Sequence, residues 1–399
     1  MTEQKPRILV LFGSAVIFGA ERGNLEALMA LKAQGAEILC LIRDEAWSNI
    51  VPPALDARGI AWRKVPYVEQ WRHNRAHVVL LRGPWAWLVA NWRFLKAVRE
   101  FQPTHIHAYS QLFVLNFLPG LMLVKTPLVY RAGDEPTLHN WFWRLTWRYV
   151  VKRTANFVAI SKFVARLLKA SSVDASRISV IYNHPPTRIA TSQQPLDLAI
   201  GPSDFAICYV GQLIEEKGPH LIVDALRALA PEHPSLKLVL IGRISEWSGD
   251  QWARSLREET LRDDTIKNRV MFTGYLDDAP SVVAQCKLLV APSLCNEGLG
   301  SVVMEAKNVS RPSIVFPNGG LPEMIEQDVD GLICREPSLP ALVEAIRAYL
   351  DNPEQAAVHG TAARVSLQRF GIAEFGQKWA DVYAKAAGPV PAQSMATAS

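Results

Sequence analysis

The chain has 399 residues, of which 49% are hydrophobic and 20% charged, with a net charge of +5 at neutral pH. That length exceeds one ordinary core and predicts two domains, and the composition excludes a disordered or fibrous chain. Five scattered cysteines, none in a Cys-x-x-Cys or zinc spacing, exclude a disulfide framework and structural zinc and predict a reducing compartment.

Along the chain, short apolar runs alternate with longer amphipathic segments. Strands are predicted at 7–13, 36–43, 104–108, 128–132, 155–161 and 178–182. Helices are predicted between them at 21–34, 86–101, 111–124, 138–153 and 162–170. The N-terminus enters the first strand directly and does not read as a signal peptide. The longest apolar stretch, 112–124, is 13 residues long, against the roughly 20 that a spanning helix needs. A soluble or peripheral protein is therefore expected. A polar, Pro-containing stretch closes the first domain, which is set at 1–190 with a linker at 191–203. Alternation then restarts, with strands at 204–211, 236–242, 269–275, 287–292, 312–316 and 331–334. The helices of this half are predicted at 219–230, 251–261, 301–309, 339–350 and 354–370. The second domain is set at 204–370. A last helix, 373–387, is expected to pack back on the first domain, before a low-complexity, disordered tail at 389–399. Strand–helix alternation implies α/β architecture: two doubly wound, Rossmann-like parallel sheets facing each other across a cleft.

Charge and tryptophan divide unevenly. Residues 1–200 hold 25 Lys/Arg and 13 Asp/Glu, a net of +12, whereas 201–399 hold 18 and 25, a net of −7. Nine of the twelve tryptophans fall in the first half. Two faces with different tasks are predicted.

The densest chemical signal is Pro292-Ser293-Leu294-Cys295-Asn296-Glu297-Gly298-Leu299-Gly300-Ser301, followed by Glu305. An apolar strand runs into a small-residue loop that opens a helix near Ser301. Such a helix start presents backbone N–H groups and a positive dipole end, which suits a phosphate. Carboxylates beside a phosphate do not bind it; they suit neutral sugar hydroxyls. The pair Glu297 and Glu305 reads as a nucleotide-sugar site, against the competing reading of a solvated helix face. A second motif, Tyr209-Val210-Gly211-Gln212-Leu213-Ile214-Glu215-Glu216-Lys217-Gly218, places one cation after a strand end. A leaving diphosphate needs such a cation. Two weaker motifs are Gly19-Ala20-Glu21 after the first strand and His105-Ile106-His107 at the end of another. Strand alternation puts both histidines on one face.

With these motifs in this order the chain resembles the GT4-type retaining glycosyltransferases of the GT-B superfamily, most strongly from Tyr209 to Cys334. The resemblance implies that Glu297 holds hydroxyls of the transferred sugar and Glu305 the ribose hydroxyls, and that Gly300 and Ser301 offer backbone N–H to the diphosphate. It implies that Lys217 and Gln212 face the phosphates, although the family often carries Arg where this chain has Gln212. Gly19 would let the backbone approach phosphate. His107 would sit near the reacting carbon and acceptor. Asp134 would lie on the acceptor side, where the family's preceding His is missing; a helix-cap role is the alternative. Arg243, Tyr275 and Leu276 would edge the base pocket. Asp328-Val329-Asp330 matches a metal-binding Asp-x-Asp, but its place before Gly331 reads as a solvated turn. No catalytic metal and no cofactor are expected, only a nucleoside-diphosphate sugar as donor, with UDP or GDP as its nucleotide.

Trp85, Trp87, Trp92, Trp141, Trp143 and Trp147 are interleaved with Lys and Arg, as on interfacial membrane surfaces; core packing is the plain alternative. No segment forms a nucleic-acid module. The expected protein transfers a sugar to the hydroxyl of a lipid-linked saccharide acceptor or glycolipid, working peripherally on the cytoplasmic, inner-leaflet face of the membrane. Two alternatives remain open: a sugar-nucleotide epimerase on the same frame, and a non-catalytic GT-B partner subunit.

Overall fold

The computed structural model describes residues 5–14, 17, 19–44, 50–67, 76–184, 196, 198, 200–243, 250–276, 278–371 and 373–387, with 76–82 as backbone alone. Phe18, most of the 191–203 linker and the tail lie outside the described residues. The chain divides into two compact units, residues 1–183 with 373–399 and residues 184–372.

The first unit runs β1 (Arg7–Phe12), α1 (Gly19–Ala33), β2 (Glu37–Arg43), α2 (Val51–Asp56), β3 (Ala61–Val65), α3 (Ala76–Phe101) and β4 (His105–Ala108). It continues through α4 (Gln111–Asn116), α5 (Leu118–Leu123), β5 (Leu128–Ala132), α6 (Trp141–Arg153), β6 (Thr154–Ala159), α7 (Lys162–Ala170) and β7 (Ile178–Val180). The strands pair in parallel in the order β3-β2-β1-β4-β5-β6-β7. Strand β1 is covered on both faces and Ile8 to Phe12 are all fully buried. This is why it reads as an unbroken apolar run rather than an alternating one.

The second unit runs β8 (Phe205–Val210), α8 (Pro219–Leu229), β9 (Leu236–Ile241), α9 (Asp250–Arg262), β10 (Val270–Gly274), α10 (Ala279–Val283) and β11 (Leu288–Ala291). It ends with α11 (Ser301–Asn308), β12 (Ser313–Val315), β13 (Gly331–Ile333), α12 (Leu339–Asp351) and α13 (Pro353–Ser366). Its parallel sheet has the order β10-β9-β8-β11-β12-β13. The chain then returns to the first unit as α14 (Phe375–Ala386), whose Trp379 and Tyr383 are buried in one core with β1, α1 and β2. Each sheet reverses strand order once, at β1/β4 and at β8/β11. Ligands in doubly wound sheets bind at the carboxyl ends of the strands flanking that reversal.

Several elements differ from expectation, among them the short helices α2 and α10, which were not predicted. Helix α3 begins ten residues before the predicted 86 and carries Pro84 inside it; Pro lacks the N–H and crowds the preceding turn, so the sequence reads it as a boundary. The predicted 111–124 helix is two helices broken at Phe117, with Pro119 in the first turn of α5 where its missing N–H costs nothing. Strand β3, Ala-Trp-Arg-Lys-Val, was not anticipated because it is an edge strand with one buried residue.

Candidate functional site

In the second unit the loops after β8 and β11 are locked together. Burial first, and the nearby Glu297 second, push the Tyr209 phenol up, so it stays protonated and donates to the Gln212 carbonyl at 2.6 Å. The chain then forms a 3-10 turn, Glu215–Lys217, and enters α8 through Gly218, which has φ of 71°. A Cβ on Gly218 would collide with the Pro292 carbonyl, so only glycine permits this approach. The Glu216 carbonyl accepts from the backbone N–H of Leu294 at 2.9 Å and of Cys295 at 3.2 Å. These contacts bring Lys217 Nζ to 3.0 Å from Glu297 Oε1. Ser293 Oγ donates to the same oxygen.

The segment 318–320 clasps this loop from its other side. The Asn318 amide donates to the Ser293 carbonyl at 2.8 Å, and the Gly320 N–H to the Glu297 carbonyl at 2.7 Å. A Cβ on Gly319 or Gly320 would collide with the backbone of Glu297 or Gly298. Helix α11 then starts at Ser301 after Gly300, with φ of 80° and no side chain capping the first turn. Glu305 lies one turn further on and is buried. At the ends of β9 and β10, the Arg243 guanidinium stands 5.8 Å from the centre of the Tyr275 ring, with Leu276 next in sequence. Gln212 is exposed at the end of β8. Lys217, Glu297, Gly300, Ser301, Gln212, Arg243 and Tyr275 therefore share the carboxyl edge of one sheet.

In the first unit Gly19 opens α1 beside the β1/β4 reversal. His105 and His107 share a face, as strand alternation requires, and both rings lie against Tyr383 of α14. His107 does not open to solvent: it is fully buried, and both ring nitrogens are engaged. The Asn24 amide nitrogen donates to the Ala20 carbonyl at 2.9 Å, so its oxygen accepts from His107 Nε2 at 3.0 Å. Nδ1 is left to accept from the Tyr383 hydroxyl at 2.6 Å. Burial, with the positive Arg131 second, lowers the His107 pKa to about 3 and keeps the ring neutral. Asp134 is exposed after β5. Arg131 is buried, donates to Asn183 Oδ1 at 2.6 Å, and has its pKa lowered to about 10 by that burial despite nearby Asp134 and Glu21.

The Asp-x-Asp segment corrects the expected solvated turn. Asp328 is exposed in the left-handed region, with φ of 61°, but Asp330 is fully buried. Its carboxylate lies 2.6 Å from Lys307 Nζ, also fully buried, and 3.2 Å from Arg369 Nη2. That carboxylate is an internal counter-ion that pins α11 to the segment before β13.

The tryptophans divide between both readings. Trp147 is core and donates to the Ser171 carbonyl at 2.9 Å, whereas Trp141 is 76% exposed. On α3, Trp85, Leu88 and Trp92 form an exposed ridge at helical spacing. Among the described residues, no helix is long and apolar enough to cross a membrane.

Sequence reasoning did not single out Asn318, Gly319 and Gly320, although a Gly-Gly pair after a strand is a local signal of close backbone approach. It also passed over Lys307 and Arg131, whose partners are distant in sequence.

Two family models match the chain. One described as glycosyl transferases group 1 covers residues 193–366, and one described as glycosyl transferase 4-like domain covers 18–184. The chain is 31% identical to the putative glycosyltransferase YtcC of Bacillus subtilis over 152 residues, which is 37% of each protein. It is 26% identical to the lipopolysaccharide core biosynthesis mannosyltransferase LpsB of Rhizobium meliloti, over 70% of this chain and 78% of that one. The alignment thus spans under half of YtcC and about three quarters of LpsB. In fold it is similar to Anabaena HepE in complex with UDP-glucose, with a TM-score of 0.76 and 21% identity over 95% of this chain and 99% of that one.

Proposed function

The chain belongs to the GT4-type glycosyltransferases of the GT-B superfamily, and on that premise we propose that it moves a hexose-type sugar from a nucleoside diphosphate to a hydroxyl acceptor. The observation that carries this reading is the half-occupied Glu297 carboxylate. Lys217 and Ser293 both engage Oε1, which fixes the side chain, while Oε2, without a partner among the described residues, is open to a sugar hydroxyl. Lys217 and the α11 start oppose the charge that grows on the leaving diphosphate oxygen. Glu305 serves the ribose, and Arg243 with Tyr275 the base. HepE was solved with UDP-glucose, which favours UDP as the first donor to test.

The reaction retains anomeric configuration by front-face attack. The bond from the anomeric carbon to phosphate oxygen breaks, the acceptor oxygen bonds to the same face, and its proton passes to the departing phosphate. No metal takes part. Asp134 serves the acceptor side, and His107 acts by positioning α1 and α14, because both its ring nitrogens are engaged by Asn24 and Tyr383. The acceptor is a lipid-linked saccharide or glycolipid, reached from the cytoplasmic face of the membrane through the exposed Trp85–Trp92 ridge and the cations around it.

Glu297→Ala should keep the wild-type circular dichroism and lower transfer from UDP- or GDP-sugars by on the order of 10²-fold or more, the scale of one lost transition-state contact. Near-normal turnover in that variant would sink the site assignment.

A further inference from the structure

The loop that carries Glu297 rests along its length on one short segment. After β12 the chain passes Phe316, which is fully buried, and turns through 317–320 into a 3-10 turn, Leu321–Met324. The Asn318 amide nitrogen donates to the Ser293 carbonyl at 2.8 Å and to the Leu294 carbonyl at 3.3 Å. Both partners only accept, so the NH2 side of the amide must face them. Gly319, with φ of 64°, leaves no room for a Cβ against the backbone of Asn296 and Glu297. The Gly320 N–H donates to the Glu297 carbonyl at 2.7 Å. Leu321 is fully buried, and its side chain fills the space where a Cβ on Gly300 would stand. Residues 318 to 321 thus meet the loop in turn from Ser293 to Gly300, the start of α11.

A chain of contacts runs from this segment to the carboxylate. Strands β11 and β12 pair as far as Ala291 and Val315, which brings the residues just beyond them side by side. Ser293 lies past the end of β11, so strand pairing no longer holds its carbonyl, and the Asn318 amide takes over. The Ser293 side chain is buried and donates to Glu297 Oε1, which Lys217 Nζ approaches at 3.0 Å. A hydroxyl can orient that carboxylate only while its own backbone is fixed. Misplacement of a reacting group by 1 Å can cost about a hundredfold in rate. We infer that Asn318 is a positioning residue for sugar transfer: it sets Ser293, and through Ser293 the Glu297 carboxylate, against the transferred sugar. This rests on the donor reading of Glu297 and adds to it a side chain from a third loop, the one after β12.

The test is a double-mutant cycle on the whole protein. Its readout is release of nucleoside diphosphate from UDP-, GDP- and ADP-hexoses, with water as the acceptor and UDP-glucose as the first probe. Asn318→Ala should lower the rate about tenfold and leave the UDP dissociation constant within about twofold by calorimetry. Asn318→Asp has nearly the same shape but turns a carboxylate on two carbonyls, and it should lose at least as much. In a Glu297→Ala background, Asn318→Ala should cost less than about twofold more, because a residue acting through Glu297 then has nothing left to position. A further tenfold loss in that background would make the segment a general support of the fold and overturn the inference. Wild-type turnover in Asn318→Ala or Asn318→Asp would overturn it as well. Asn318→Ser, too short to reach both carbonyls, carries the same cycle if melting curves show that Asn318→Ala does not fold. Normal turnover in Glu297→Ala, or no release from any hexose donor by wild type, would defeat the donor reading and this inference with it. Dependence on Glu297 without dependence on Asn318 would overturn this inference alone.

Discussion

His107 stands at the carboxyl end of a central strand, where a reacting group is expected, yet its ring is closed in by Asn24, Tyr383, Trp379 and Arg131. A neutral ring donating through Nε2 and accepting through Nδ1 satisfies both neighbours. Removing it leaves a buried hydroxyl and a buried amide oxygen without their partner, a loss of about 1–3 kcal/mol. His107→Gln should therefore lower the urea midpoint at neutral pH. The acid response should change as well. The native pKa of about 3 lies below the ordinary value of 6.5, so below pH 6.5 the unfolded chain binds a proton that the folded ring refuses. Stability is then lost as pH falls from 6.5 toward 3, and this group adds no pH dependence above 6.5. Urea midpoints between those limits should fall less steeply in the variant than in wild type. Equal slopes would remove His107 as the cause.

Helix α11 carries Ser301 and Glu305 of the proposed donor site on one side and Lys307 on another. Burial, opposed by Asp330, lowers the Lys307 pKa to about 8, so the ammonium is retained at neutral pH only with its partner in place. Breaking a buried pair on one side costs about 3–5 kcal/mol, whereas replacing both partners by apolar groups is often neutral. Asp330→Ala should thus lower the melting temperature and weaken UDP binding together. Lys307→Met combined with Asp330→Ala should recover most of both, as read by calorimetry. The same helix marks what a sequence discloses. The strand into the loop, Glu297, the glycine before Ser301 and the helix that follows are neighbours in the chain and are legible locally. The Lys217–Glu297 contact is legible only as two motifs, because their meeting depends on β8 and β11 pairing across the reversal. Lys307 and Asp330 are 23 positions apart, and in the sequence each resembles an ordinary solvated charge. Strand β3 was hidden for the opposite reason, since an edge strand with one buried residue has no apolar run to betray it. The paired sheets were legible because central parallel strands must be apolar on both faces.

Over the whole molecule, net charge and local charge point in different directions. The proposed donor is an anion, yet its proposed site lies within the half of the chain that carries −7, while the half carrying +12 holds the exposed Trp85–Trp92 ridge. Donor recognition therefore cannot rest on the summed field of its surroundings. In the proposed site it would rest on Lys217, on Arg243 beside Tyr275 and on the α11 start, all acting over a few ångströms. The proposed docking to an anionic bilayer would use the summed field of the basic half, and such long-range attraction is screened over about 10 Å at 0.1 M salt. The two activities should separate under salt. Raising ionic strength from low to above-physiological values should reduce the fraction sedimenting with phosphatidylglycerol vesicles severalfold. Over the same range the UDP dissociation constant should change by less than about twofold to threefold, because partly buried contacts are screened much less. Parallel loss of both would mean that the donor is held by the same diffuse field as the membrane, and the local assignment to Lys217 and Glu297 would fail with it.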